Sequence, residues 1–231
     1  MIAFNAQNMH HIADPYELKV DKSEIYRYLG YYRVKPDETI SSLIDKCLED
    51  ELNVAIPQGI YSIFPISIDE KSCELDLGFA KTTSRHLCKN LSGCSHIALF
   101  AATIGPRVDV LIQRTSRVDQ TKAVIYQSVG ATLIESYCDY LNDYLRREFG
   151  EGGYKLRPRY SPGYGDLSIL LQKDIFKSIR ADKTIGLTLM DTCIMAPSKS
   201  VTAIIGIAPG DAPDCNYLPD CNICDVCARK E

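Results

Sequence analysis

The sequence of 231 residues has no apolar run long enough to cross a membrane as a helix. The longest run, from Ile97 to Ile104, has the length of a strand, whereas a membrane helix needs about 18 or more apolar residues. The N-terminus lacks the basic segment and the following apolar segment of a secretory signal peptide. These absences predict a cytoplasmic protein with no membrane partner.

Basic residues form no cluster in this chain. The sequence has 26 lysine and arginine residues against 30 aspartate and glutamate residues, so its formal net charge at pH 7 is −4. Proteins whose main partner is nucleic acid carry a basic patch, so we predict no nucleic-acid partner. Hydrophobic residues make up 45% of the chain and charged residues 24%, which is typical of a globular protein and excludes wholesale disorder.

The common catalytic motifs are also missing. Neither of the two common glycine-rich phosphate-binding loops occurs, which argues against a nucleotide hydrolase and against a dinucleotide oxidoreductase. His86 and His96 are the only histidines away from the N-terminus, and no Ser-His-Asp arrangement can be proposed around them. We therefore predict that the chain carries no catalytic constellation of its own.

Helical and strand-like patterns alternate along the chain. Apolar residues recur at helical spacing in 37–52, and 119–149 contains no proline and a single glycine, so both segments are predicted to be helices. Residues 96–104 are almost uniformly apolar over the length of one strand. That pattern predicts a central strand that is buried on both faces of its sheet.

The last third of the chain suggests an antiparallel pair of strands. Residues 185–190 and 201–208 alternate in polarity on either side of a turn-like segment at 196–199, so we predict that these two strands pair with each other. Interspersed helices and strands with an antiparallel pair predict an α+β fold rather than a doubly wound sheet. We place one domain over 1–210 and an irregular, cysteine-rich tail over 211–231.

The segment 157–166, with the sequence RPRYSPGYGD, has the composition of a ligand-binding loop. Pro162 and Gly163 predict a tight turn, where glycine lets the backbone approach a ligand closely. The planar guanidinium of Arg159 suits a carboxylate or a phosphate, and Tyr164 can place its ring against a flat ring or a cation. The alternative is a plain turn whose arginine forms a salt bridge with a neighbouring element.

Glu135 is the second unusual residue, because it lies on a face of the predicted 119–149 helix that otherwise carries mainly small residues. The residues that share this face include Ser128, Ala131 and Cys138. A carboxylate in such surroundings is costly unless it is paired. Its partner is either a ligand cation or, in the structural alternative, one of the arginines of the 157–166 loop.

Four of the ten cysteines lie in the last 17 residues, at Cys215, Cys221, Cys224 and Cys227. Thiolates separated by two residues can converge on one ion or cluster, and the Asn, Asp and Pro residues between them favour turns. The spacing matches that of bacterial ferredoxins only in part, because its first gap is five residues. We predict a metal site that holds either an iron–sulfur cluster or zinc, and the alternative is a tail of free thiols.

Two segments of the chain resemble the activation domain of cobalamin-dependent methionine synthase, especially its free-standing forms. The resemblance is specific in 159–164 (RYSPGY) and 185–207 (IGLTLMDTCIMAPSKSVTAIIGI), and it extends more diffusely over 23–208. It implies a curved, mainly antiparallel sheet flanked by helices. It also implies that the domain binds S-adenosylmethionine beside a corrinoid and helps to rescue oxidised cobalt by reduction and methylation.

The resemblance gives ligand-binding roles to residues that already stand out. The positions that correspond to the family's ligand site are Glu135 on the long helix and Arg159, Ser161, Gly163 and Tyr164 in the loop. An aspartate that the fused domains contribute near their N-terminus has no clear counterpart, with Asp14 and Asp37 as candidates. A further tyrosine position of the family falls near Pro213.

The resemblance implies an accessory subunit that binds S-adenosylmethionine and reactivates the corrinoid of a cobalamin-dependent methionine synthase or a related methyltransferase. Cobalamin would belong to the partner, and an electron donor such as flavodoxin or ferredoxin would supply the electron. One alternative is an iron–sulfur electron-transfer protein that uses the C-terminal cysteines. Another is an interaction module whose tail is held by zinc.

Overall fold

A computed structural model describes residues 4, 7–32 and 34–212. Its strands are β1 (Met9–Ile12), β2 (Gln58–Pro65), β3 (Ser67–Asp69), β4 (Glu74–Asp76), β5 (Lys81–Thr83), β6 (His96–Thr103), β7 (Tyr154–Leu156), β8 (Thr188–Leu189), β9 (Met195–Ala196) and β10 (Ser200–Pro209). Its α-helices are α1 (Lys22–Tyr28), α2 (Glu38–Val54), α3 (Arg85–Asn90), α4 (Pro106–Thr115), α5 (Gln120–Gly150), α6 (Leu171–Ile179) and α7 (Ala181–Thr184). A 3-10 turn covers Pro15–Glu17. Within these described ranges, no helix is both long enough and apolar enough to cross a membrane.

A five-stranded sheet in the order β1-β2-β6-β10-β7 forms the centre of the fold. All four pairings are antiparallel, and the sheet curls into a half-barrel. The strand predicted over 96–104 is β6, which lies in the middle of this sheet with both faces buried. The predicted α+β class and the curved antiparallel sheet are therefore confirmed. The boundary at residue 210 stays a prediction.

The strand pairing predicted for the last third of the chain is wrong. Within 185–190 only the two residues of β8 form a strand, and they pair with β9. β10 pairs instead with β6 along most of its length and with β7 at its end. Alternating polarity shows that a segment can form a strand, but it does not identify the partner. β10 is ten residues long and mostly buried, so its backbone N–H and C=O groups need hydrogen-bond partners along most of its length. The eight residues of β6 provide them, whereas the two residues of β8 could not.

Alternate side chains of β6 point into two separate hydrophobic clusters, as the period of a strand requires. Ala98, Phe100 and Ala102 contribute to the cluster that also contains residues of α1, α2, α4 and α5. Ile97, Leu99 and Ala101 contribute to the cluster on the other face, together with residues of α3, α6 and α7. The sheet thus separates the helical layer around α5 from the layer of α3, α6 and α7, against which Tyr160 and Leu167 pack.

The two long helices begin where the sequence predicts. Asp37 caps α2 by accepting a hydrogen bond from the backbone N–H of Ile40, and Asp119 caps α5 in the same way through Lys122. α5 continues for 31 residues, since no proline interrupts it. Because α5 is this long, it extends from the helical core to the 157–166 loop.

A fully buried carboxyl group, that of Glu51, lies where α2, α5 and the start of β10 meet. Neither of its oxygens has a hydrogen-bond partner among the described residues. Burial raises the pKa of Glu51 to about 9, although the charge of Lys199 opposes this shift. A Cβ at Gly130 would lie 3.0 Å from Cε of Lys199 and 3.2 Å from Oε2 of Glu51, so the small residue at this point of α5 makes room for both side chains.

Candidate functional site

The first part of the 157–166 loop runs beside β10 and is held by backbone hydrogen bonds. The N–H of Arg157 donates to the carbonyl of Gly206 at 2.8 Å, and Tyr160 and Ile204 exchange two bonds of 2.9 Å. This ladder continues the sheet beyond β7. Arg159 therefore starts from a fixed backbone position at the sheet edge.

The second part of the loop, 161–167, is a compact turn. The N–H of Tyr164 donates to the carbonyl of Ser161 at 3.2 Å, and the N–H of Leu167 donates to the carbonyl of Tyr164 at 3.0 Å. Gly163 and Gly165 adopt left-handed backbone conformations with φ of +94° and +53°, which other residues adopt at a cost. The tight turn predicted from the sequence is thus present, and it leaves the side chain of Tyr164 58% exposed.

Arg159 projects from the loop to α5, where two carboxylates hold it. Its Nη1 donates to Oδ1 of Asp139 at 2.6 Å, and its Nη2 donates to Oε2 of Glu135 at 3.1 Å. The two acids are four residues apart on α5 and so lie on the same face of the helix. The arginine side chain is only 11% exposed, whereas those of Glu135 and Asp139 are 41% and 57% exposed.

These contacts bring Arg159 and Glu135, the two unusual residues of the sequence, into one cluster. They also contain the salt bridge that was the structural alternative for each residue. Arg159 does form salt bridges with a neighbouring element, and Glu135 is paired with it. The hydrogen bonds to Asp139 and Glu135 use two of the five N–H donors of the guanidinium, so three donors remain for a ligand carboxylate. Asp139 was missed in the sequence, although its spacing of four residues from Glu135 could have revealed it.

Glu135 and Asp139 also line a groove between α5 and the region of α1. The groove is open to solvent, and the residues that line it are Lys19, Asp21, Glu24, Tyr28, Thr132, Glu135, Ser136 and Asp139. Four carboxylates line it, against Lys19 and the arginines Arg159 and Arg27 that pair with three of these acids, so the groove keeps one negative charge in excess. Such a field attracts a positively charged ligand group, such as an ammonium or a sulfonium.

The remaining loop residues lie close to Arg159 in sequence but are not among those that line the groove. Ser161 is half-buried, and Gly163 and Tyr164 are exposed in the turn that follows. This turn packs on α3, where Gly165 and Asp166 contact residues 84–86, whereas the groove lies between α5 and the region of α1. The structure therefore brings Glu135 and Arg159 into direct contact, whereas Ser161, Gly163 and Tyr164 follow Arg159 along the chain without lining the groove.

The two N-terminal aspartates named as candidates act as helix caps. Asp14 accepts a hydrogen bond from the N–H of Tyr16, and Asp37 caps α2. Neither is among the groove-lining residues, whereas Asp21 is. Asp21 could not be recognised from the sequence, because its place in the groove depends on the packing of α1 against α5, which no local pattern indicates.

The predicted metal ligands Cys215, Cys221, Cys224 and Cys227 lie outside the described residues, as does Pro213. Among the residues that the structure describes, no group of three or more His, Cys, Asp and Glu side chains could hold a metal ion. The six remaining cysteines are free thiols; Cys47, Cys88, Cys138 and Cys193 are buried, and Cys73 and Cys94 are partly exposed.

Comparisons with known proteins agree with this architecture. The fold is similar to that of a crystal structure of the MetH reactivation domain bound to AdoHcy, with a TM-score of 0.70 and 16% sequence identity over 94% of this chain and 82% of that one. No curated protein matches the sequence. Residues 84–212, more than half of the chain, match the family model described as vitamin B12 dependent methionine synthase, activation domain. The chain therefore belongs to the family of vitamin B12-dependent methionine synthase activation domains.

Proposed function

We propose that this chain is a cytoplasmic accessory subunit that binds S-adenosylmethionine and presents its methyl group to the corrinoid of a partner methyltransferase. The observation that carries this proposal is the cluster of Arg159 with Glu135 and Asp139 in a chain of this family. A guanidinium beside two carboxylates at an acidic groove is complementary to a zwitterionic amino acid that carries an extra positive charge. The binding of AdoHcy by a domain of the same fold supports the same ligand class.

The residues present fit the parts of S-adenosylmethionine. Arg159 would bind the methionyl carboxylate through N–H donors that its ion pairs leave unused. Glu135 and the acidic groove would attract the ammonium and sulfonium charges. The exposed ring of Tyr164 would flank the adenine or the sulfonium, and the backbone at Ser161 and Gly163 would approach the ligand closely.

The chain's own role is to hold and orient the methyl donor. When bound, S-adenosylmethionine supplies a methyl group to a cobalt ion that has taken up one electron. We propose that the cobalt belongs to the corrinoid-binding core of a methionine synthase or to a related corrinoid protein. The electron would come from a donor such as flavodoxin or ferredoxin. No nucleic acid or membrane takes part in this proposal.

Reconstitution with a corrinoid protein tests the proposal. We expect negligible methyl transfer by this chain alone, because its sequence offers no nucleophile, base or cofactor loop for the reaction. Transfer of labelled methyl from S-adenosylmethionine should appear when a purified cobalamin-binding methionine synthase core and a low-potential reductant are added. Omission of the reductant is the control and should abolish the transfer. Robust turnover by the lone chain on an acceptor without a corrinoid would contradict the proposal.

For the C-terminal cysteines we propose metal binding, on the basis of their spacing alone. An iron–sulfur cluster there would favour the alternative function of electron transfer and would let the chain relay the electron itself. Zinc would favour a structural role for the tail. The two cases differ in visible absorption, because a cluster colours the protein brown and zinc leaves it colourless.

Replacing Cys221 and Cys224 with serine should remove the bound metal, because it halves the set of four thiolates. Binding of S-adenosylmethionine should be unchanged, since the proposed ligand residues lie between 135 and 164. Iron, zinc and acid-labile sulfide are measured in protein prepared without oxygen, and Cys47→Ser serves as the control at a buried cysteine elsewhere. Absence of both iron and zinc from the wild-type protein would contradict a metal site.

A further inference from the structure

The carboxylate of Asp166, at the end of the 157–166 loop, is bound to the N-terminus of α3. Its Oδ1 accepts hydrogen bonds from Oγ of Ser84 at 2.5 Å and from the N–H of His86 at 3.3 Å. Its Oδ2 accepts from the N–H of Arg85 at 2.7 Å. One side chain thus receives three donors from residues that are 80 to 82 positions away in the sequence.

These bonds favour the charged form of the carboxyl group. Burial alone raises the pKa of Asp166, but the hydrogen bonds from Ser84, Arg85 and His86 outweigh it and hold the pKa below its ordinary value. Ser84 is itself the N-cap of α3, since its Oγ accepts from the N–H of Leu87 at 3.0 Å. Asp166 therefore completes the cap of a helix that belongs to another part of the chain.

The residues on either side of Asp166 also pack against α3. Gly165 has a left-handed backbone, and a Cβ on it would collide with Nδ1 of His86 and with the hydroxyl of Tyr160. Leu167, on the other side, is buried in the same hydrophobic cluster as Leu87 of α3. The end of the turn is thus fixed on α3 by a carboxylate, by a close backbone approach and by a buried side chain.

Tyr164 and Gly163, two of the proposed ligand residues, lie two and three positions before this contact. Gly163 donates its N–H to the carbonyl of Leu167 at 2.9 Å, so its backbone position is tied directly to the anchored end. The other end of the loop is anchored to β10 through Tyr160. The turn at 161–165 is therefore held between two fixed points, one on the sheet and one on α3.

We propose that Asp166 is a positioning residue for the S-adenosylmethionine site, which fixes the 161–165 turn on α3 before the ligand arrives. This inference rests on the proposed function. A turn that is ordered in advance loses less conformational entropy on binding, so the ligand binds more tightly than it would to a loose one. Asp166 need not touch the ligand for this effect.

Calorimetric titration of the full chain with S-adenosylmethionine tests the role. Asp166→Asn keeps the size of the side chain but removes its charge, and we expect the dissociation constant to rise about tenfold, as for loss of one charge-assisted hydrogen bond. Ser84→Ala removes only one of the three donors and should act in the same direction with a smaller effect. Asp166→Glu restores the charge and should recover part of the affinity.

The matched control is Asp119→Asn, at a position remote from the loop in sequence, which keeps an oxygen that can cap α5 but removes the negative charge that favours the helix N-terminus. It should lower the thermal midpoint of unfolding without changing the dissociation constant. Amide hydrogen exchange should speed up in 161–167 in Asp166→Asn and remain slow in the core of α5.

Each outcome of the titration has a separate meaning. An unchanged dissociation constant in both Asp166→Asn and Ser84→Ala overturns the positioning role and leaves the proposed function intact. An equal loss of affinity in Asp119→Asn also overturns it, because the effect would then follow stability in general. A wild-type chain that binds no S-adenosylmethionine overturns the proposed function, and the positioning role with it.

Discussion

Replacing Arg159 with glutamine is expected to cost about 1.5–3 kcal/mol of binding free energy for S-adenosylmethionine, the range for a charge-assisted hydrogen bond. Glutamine keeps a polar side chain of moderate length but offers neither the positive charge nor the fork of donors. The fold should persist, because Glu135 and Asp139 are 41% and 57% exposed and water can solvate them when their partner is lost. Calorimetric titration of both proteins measures the difference.

The matched variant for this experiment is Arg159→Lys. Lysine retains the charge that neutralises the two acids of α5 but cannot bind a carboxylate through two parallel donors. It should therefore preserve the thermal midpoint of unfolding more fully than glutamine and still bind the ligand less tightly than the wild-type protein. Equal affinity in all three proteins would show that Arg159 is a purely structural partner of Glu135 and Asp139.

Replacing Glu51 with glutamine is expected to remove a strong pH dependence of stability. The pKa of Glu51 is about 9 in the folded chain and 4.5 in the reference state. Between these values the unfolded chain has released a proton that the folded chain retains, so the free energy of unfolding falls as the pH rises. The slope is about 1.4 kcal/mol per pH unit, which amounts to about 3 kcal/mol by pH 7.

Denaturant unfolding from pH 5 to pH 8 measures this dependence. The wild-type chain should lose stability steadily across the range, whereas Glu51→Gln should show a flatter profile and exceed the wild type most clearly at pH 8. Glu49→Gln, at an exposed position of the same helix, controls for the loss of a carboxylate on α2 and should keep the wild-type slope. Parallel profiles for Glu51→Gln and the wild type would show that Glu51 titrates near its ordinary pKa.

The sequence predicted the parts of the fold that local pattern determines. The continuous apolar run of β6 predicted a strand buried on both faces, and the long segment without proline predicted α5. The partner of β10 could not be predicted in the same way, because β6 and β10 are separated by about a hundred residues and the hydrogen bonds that select a partner leave no local trace.

Glu51 shows how a signal can be present and still be overlooked. The predicted 37–52 helix has a buried face with Ile44 and Cys47, and Glu51 continues that face at the next helical interval after Cys47. The helical period therefore predicts that the carboxyl group of Glu51 points toward the core. The helical period could not show that Lys199, just before β10, approaches Glu51 without forming a hydrogen bond, since that approach depends on the tertiary fold.

The candidate site was predictable in its residues but not in its geometry. Arg159 stood out for its loop and Glu135 for its surroundings on a helix, and the structure joins them at 3.1 Å. Asp139 and Asp21 both line the groove beside Glu135, and Asp139 also pairs with Arg159. Neither could be placed there from the sequence, because their positions depend on how α5 packs against the loop and against the segment that leads into α1. The ion pairs are compatible with the proposed ligand site, because they use only two of the five N–H donors of Arg159.

Titration of the wild-type chain with S-adenosylmethionine is the measurement that tests the central claim most directly. We expect a saturable heat of binding with one ligand per chain, and competition by AdoHcy for the same site. In Arg159→Gln the heat should be lost or strongly weakened. Absence of heat and of competition at millimolar ligand would contradict the claim that Arg159, Glu135 and the 161–165 turn form a site for S-adenosylmethionine.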